Sequence, residues 1–253
     1  IFAGIVANLP VAIAGTFELG RTGALSPIII FFFMVMAIAV IALIVFIERS
    51  QRRIMVQYPK RQMGNKTFGG ESSHLPLKIN VPGVIPPIFA SSLLLMPVSI
   101  INLTSTSDGG ASWLITLNAL LGRGQPLYLA VYIGLIVFFA FFYTAIVFNP
   151  QDTADNLRRY GGYVPGIRPG QPTADYLDFV LTRLTVLGAA YLSAVCILPE
   201  LLISQYSVPF YFGGTSLLIV VTVTLDTVTQ VQSHLMAHQY EGLIKKSNLR
   251  GKR

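Results

Sequence analysis

His234 and His238 stand four residues apart with Glu241 three further on, so on a helix they share one side. That is part of a metal pair. No further ligand is fixed by the spacing, and solvated histidines on a polar helix are the simpler reading. Asp226 lies among Thr222, Thr224, Thr227, Thr229 and Gln230 toward the end of a weakly apolar run. An acidic residue there is either a proton or ion site or a local cap at the membrane edge. Gly64-Asn65-Lys66-Thr67 has the closing residues of a phosphate loop but lacks the upstream glycine such a loop needs. Cys196 is the single cysteine, which excludes an internal disulfide and a thiolate metal cluster. The sequons at Asn65 and Asn102 carry no weight: one falls in a basic connector and the other close to an apolar run. No serine nucleophile motif and no paired metal-binding helix is present. The residues therefore predict no enzyme, no catalytic group, no metal and no cofactor.

A different kind of chemistry is suggested by Tyr160 to Thr173, YGGYVPGIRPGQPT. Pro165, Gly166, Pro169 and Gly170 set tight turns on both sides of Arg168. A cation held this way loses less conformational entropy when a partner docks. Gln51, Arg52, Arg53, Gln57, Tyr58, Lys60 and Arg61 give a second mixed, basic surface, on what reads as a helix extension beyond an apolar run. Such surfaces suit the phosphates of an RNA or an acidic protein patch.

The elements that must present these residues belong to a membrane. Of 253 residues, 53% are hydrophobic and only 11% charged, where soluble domains carry about 25% charged residues. Ile28 to Ile47 is an unbroken apolar run of 20 residues, about 30 Å as a helix, the thickness of a bilayer core. Six apolar segments are predicted, at 1–17, 27–47, 81–103, 127–148, 179–203 and 213–233. The chain opens inside an apolar run without a signal-peptide pattern, and so reads as starting partway through a helix.

The connectors alternate in charge. Those at 48–80 and 149–178, with the tail 234–253, hold fifteen Lys and Arg, against two in the remaining connectors. By the positive-inside rule the basic connectors and the C-terminus are cytoplasmic. The third segment holds Pro82, Pro86, Pro87 and Pro97, which predicts a broken or kinked helix of the sort found in pores and transporters.

Four blocks make the chain resemble the SecY family, channel subunits of the bacterial protein-translocation machinery. They are HLPLKINVPGVIPPIFASS (74–92), FFYTAIVFNPQDTADNLRRYGGYVPGIRPGQPTADYL (141–177), LTRLT (181–185) and VPFYFGGTSLLIVVTVTLD (208–226). The resemblance implies an all-α polytopic helix bundle, the C-terminal half of the channel from the remainder of helix five through helix ten. It places a ring of apolar pore residues at Ile1, Ile88 and Ile219, where aliphatic side chains would repel ions and gate by dewetting. It places a lateral gate on the third segment at Ser91, Ser92 and Met96. Arg52, Arg53 and Arg168 would dock the ribosome or the SecA motor. SecE and a SecG-like subunit would brace the helices around a translocating polypeptide and its signal sequence. The implied location is a bacterial plasma membrane, and a plastid-type membrane fits almost as well. Pro82 and Pro87 depart from the family pattern, which has small residues there. Two other functions stay in view: an ion-coupled secondary transporter using the third segment and Asp226, and an inert assembly scaffold.

Overall fold

The computed structural model describes residues 2–23, 26–59, 61–63, 66–68, 72–105, 122, 125–206 and 213–250. The helices are α1 (Phe2–Arg21), α2 (Pro27–Arg49), α3 (Ile85–Ser105), α4 (Pro126–Val147), α5 (Pro150–Arg159), α6 (Gln171–Tyr206) and α7 (Gly214–Arg250). Between α2 and α3 lie four short strands: β1 (Gln51–Gln57), β2 (Arg61–Met63), β3 (Lys66–Phe68) and β4 (Ser72–Lys78). β1 pairs antiparallel with β4, and β2 with β3, so the connector is a hairpin nested on a hairpin. Helices dominate, but the sheet corrects the expectation of a helix extending beyond α2. Ser50 closes α2 through its hydroxyl on the Phe46 carbonyl. From there buried Ile54 and Val56 alternate with exposed Arg53 and Met55, a period of two that suits a strand.

Among the described residues, four helices or helix-rich stretches are long and apolar enough to cross a membrane: Pro27–Arg49, Pro126–Arg159, Gln171–Leu202 and Gly214–Met236. Phe2–Gly15 and Ile85–Pro97 are shorter apolar helical runs. The prolines of the third segment act differently from the predicted break. Pro82 precedes α3, and Pro86 and Pro87 sit in its first turn, where the missing amide protons have no helical partner anyway. Only Pro97 lies in the helix body.

The chain forms two compact units. One holds α1, most of α2 and nearly all of α7; the other is Phe46–Thr215. In the second unit α4 packs on α3 and α6. Phe89 of α3 stacks on Phe139 of α4 with centroids 5.7 Å apart. The Thr185 hydroxyl of α6 lies 3.4 Å from that of Thr144 on α4, and each also donates to a carbonyl four residues back. Self-satisfied hydroxyls let two apolar helices approach closely without leaving a polar group unpaired.

Candidate functional site: a platform made from two basic connectors

The platform begins at α5. Asn149 caps it by accepting the Gln151 amide at 3.0 Å, and Pro150 occupies the first turn. The helix ends in a Schellman motif: Gly162 N–H donates to the Leu157 carbonyl (2.8 Å) and Gly161 N–H to the Arg158 carbonyl (3.1 Å), with Gly161 at φ 74°. This turn throws the chain against β1. Gln57 and Tyr163 exchange backbone hydrogen bonds of 2.9 and 3.0 Å, and the Tyr163 hydroxyl donates to Gln57 Oε1 at 3.3 Å. A β-carbon on Gly162 would stand 3.0 Å from the Tyr58 ring and 3.1 Å from Val56, so the two connectors touch backbone to side chain.

Beneath the bridge is a small apolar core. Ile54 of β1, Leu77 of β4, Val164 and the α6 residues Leu177, Val180 and Leu184 are buried together, with Ile167 packed against them. Arg168 follows Ile167 and is exposed. Its backbone is fixed: Ile167 N–H donates to the Val164 carbonyl (3.1 Å), and the buried Thr173 hydroxyl donates to the Arg168 carbonyl (2.8 Å). Gly166 at φ 84° and Gly170 at φ 109° supply backbone that other residues rarely adopt. The sequence-based expectation of a rigidly presented arginine thus has a concrete frame. Thr173→Val keeps the shape and removes the donor; it is expected to destabilise by about 1 kcal/mol. Hydrogen exchange should show faster exchange at the Ile167 and Thr173 amides, with the centre of α6 unchanged.

The three docking candidates do not form one patch. Arg52 lies opposite Leu77, and Arg53 opposite Pro76. Opposed side chains share a face and neighbours along a strand alternate. Arg52 therefore leaves the hairpin on the face that carries Ile54 and Leu77 into the core, and Arg53 leaves on the other.

The remaining candidates lie elsewhere. Ile88 is half-buried in the first turn of α3, and Ile219 half-buried on α7, in separate units. Ile1 lies outside the described residues. Ser92 and Met96 are exposed on α3 in line with Phe89 and Leu93, whereas Ser91 is half-buried with its hydroxyl on the Ile88 carbonyl. Asp226 is exposed, and the neighbouring Thr224, Thr227 and Thr229 hydroxyls bond back to carbonyls of their own helix. His234 is exposed, and the side chains of His238 and Glu241 lie outside the described residues. Gly64 and Asn65 also lie outside them, and Lys66 and Thr67 belong to β3.

Sequence reasoning placed Gln57 in the basic surface and Tyr163 and Thr173 in the turn-rich stretch, but missed that Gln57 and Tyr163 bridge the two connectors and that Thr173 ties the Arg168 carbonyl. The alternation Arg53-Ile54-Met55-Val56-Gln57 was the available signal for the strand.

A family model for SecY matches residues 1–228. The chain belongs to the SecY family. The protein translocase subunit SecY of Rickettsia conorii is 54% identical over 250 residues, which is 99% of this chain and 57% of that protein. Those of Vibrio cholerae and Escherichia coli K12 are each 53% identical over 253 residues, covering 57% and 56% of those proteins. This SecY-family chain thus spans little more than half the length of the relatives it matches. Two solved structures share its fold. One is a SecY protein whose plug domain stabilises the closed state of its channel, with a TM-score of 0.52 and 18% identity over 79% of this chain and 49% of that one. The other is a protein-conducting channel, with a TM-score of 0.51 and 17% identity over 79% and 48%.

Proposed function

We propose that this chain is the C-terminal half of the pore-forming subunit of a protein-conducting channel. That subunit passes unfolded polypeptides across a bacterial plasma membrane and releases apolar segments sideways into lipid. The six predicted segments span the bilayer, with 48–80, 149–178 and the basic tail 234–253 in the cytoplasm. Ile88 and Ile219, with Ile1, contribute to the pore ring. Ser92 and Met96, with Ser91, line the side gate. The chain carries no catalytic group of its own; the SecA motor or a translating ribosome drives transport, and SecE and a SecG-like subunit brace the helices.

The observation that carries this reading is the Gln57–Tyr163 bridge in a SecY-family chain. It joins the connector that carries Arg52 to the connector that carries Arg168, which supports docking of a large partner on both. The exposure of Asp226 favours this reading over an ion-coupled transporter, whose site needs an enclosed charge.

The test is Arg168→Glu in the full-length parent, measured as import of a secretory precursor into inverted membrane vesicles with SecA and ATP, at matched channel levels. Import is expected to fall about tenfold, the equivalent of 1.4 kcal/mol of docking energy, while assembly with SecE is unchanged. Asp226→Asn is expected to import normally. Unchanged import by Arg168→Glu makes the loop a plain turn, and loss of import by Asp226→Asn moves the reading toward a transporter.

A further inference from the structure

Two polar atoms at the joint between α2, α3 and α6 have no hydrogen-bond partner among the described residues: Asn80 Oδ1 and the Tyr191 hydroxyl. Both residues are more than nine-tenths buried, at 3% and 8% exposed. A buried donor or acceptor left unpaired is costly, and native proteins rarely keep one.

The orientation of Asn80 is fixed by what it faces. One end of its amide meets two acceptors, Glu48 Oε1 at 2.6 Å and the Gly83 carbonyl at 3.2 Å, so that end is the nitrogen. Oδ1 is turned the other way, onto α6. It stands 3.6 Å from where a β-carbon on Gly188 would lie, and the Ile79 carbonyl stands 3.2 Å from the same point. Tyr191 is three residues further along α6 and shares that side of the helix. Long side chains on a helix lean toward its N-terminus, which carries the Tyr191 ring back toward Gly188. Its hydroxyl lies within electrostatic reach of the Glu48 carboxylate, the same group that the Asn80 amide holds. An unpaired donor and an unpaired acceptor therefore border one carboxylate.

We propose that one ordered water molecule binds in this joint, accepting from the Tyr191 hydroxyl and donating to Asn80 Oδ1. Its second proton goes to the Glu48 carboxylate. That gives the water three partners, the usual number for a buried one. The chemistry favours water over a cation, because the unspent group of Tyr191 is a donor and a cation accepts nothing. The site is separate from the docking platform and does not depend on the function proposed above. It ties the end of α2 and the root of α3 to α6.

The experiment uses the full-length parent in nanodiscs, unsubstituted and as Tyr191→Phe. For the unsubstituted protein, a cryo-electron microscopy map fine enough to show ordered water is expected to hold a peak about 2.7–3.2 Å from both Tyr191 Oη and Asn80 Oδ1. Thermal unfolding gives a second reading, since phenylalanine keeps the ring and removes only the hydroxyl. A hydroxyl that holds the water is missed, and the midpoint of Tyr191→Phe is expected to fall by about 2 °C. A hydroxyl that was simply unpaired is lost without penalty, and the midpoint holds or rises. The absence of a peak, or a hydrogen bond made directly between Tyr191 and Asn80, overturns the proposal. So does an unchanged or raised midpoint in Tyr191→Phe. A peak with six or more oxygens at about 2.3–2.6 Å overturns it too, and assigns the joint to a cation.

Discussion

Gly214→Ala is expected to destabilise the protein by about 3 kcal/mol, the upper end of the usual range for overpacking. Gly214 opens α7 and is buried against α6. A β-carbon there would stand 2.5 Å from the Val195 carbonyl oxygen and 2.5 Å from the Cys196 α-carbon. Those are backbone atoms of α6, so no side chain can rotate away, and the backbone at Gly214 must shift to make room. Gly213 is the control. Its β-carbon would meet only the Thr215 hydroxyl at 3.7 Å, an ordinary contact, so Gly213→Ala is expected to shift stability by less than about 1 kcal/mol. Thermal unfolding of the two variants in the full-length parent separates them. Equal losses would mean that Gly214 does not approach Val195 and Cys196 this closely.

Asn80→Asp is expected to be nearly as damaging, though it changes the shape hardly at all. Asn80 is buried between β4 and α3. Its amide donates to Glu48 Oε1 at 2.6 Å and to the Gly83 carbonyl at 3.2 Å, tying the end of α2 to the turn that starts α3. The substitution replaces that donor with a carboxylate facing a carboxylate and a carbonyl. A buried charged acceptor left facing acceptors costs about 3 kcal/mol. The sign with pH follows: protonating the introduced carboxyl restores a donor, so the variant's deficit shrinks as pH falls and grows as pH rises. Unfolding curves of parent and variant across mildly acidic to neutral pH check this. A deficit independent of pH would point to packing instead of charge. Because this joint lies at the root of α3, loosening it also frees the helix that carries Ser92 and Met96.

What could be read from the sequence depended on how local its cause was. The run Ile28 to Ile47 became α2, and Leu127 to Phe148 became α4, because a long apolar run has one way to satisfy its backbone in lipid. The frame of Arg168 was legible for the same reason: proline and glycine act on their own dihedral angles. The third segment was expected to be broken or kinked by its prolines; Pro82, Pro86 and Pro87 instead fall before or at the helix start, whose place the count of prolines does not give, and Pro97 alone lies in the helix body. The β1–β4 hairpin was misread as helix because a charged, amphipathic stretch beside a membrane helix offers two periods. Its strand period shows in Arg53-Ile54-Met55-Val56 and again in His74-Leu75-Pro76-Leu77-Lys78. Helix or strand was decided by burial against Val164 and Leu177, far away in sequence. The division of Arg52 from Arg53 needed the register, which no composition argument supplies.

The bridge between Gln57 and Tyr163 closes a loop of 106 residues. α3, α4 and α5 all lie within that loop, and closing so long a loop is costly in entropy and slow. The contact between the two basic connectors is therefore expected to form later than the local turns and helices it joins. A partner that needed both connectors at once would engage only molecules in which this loop has closed.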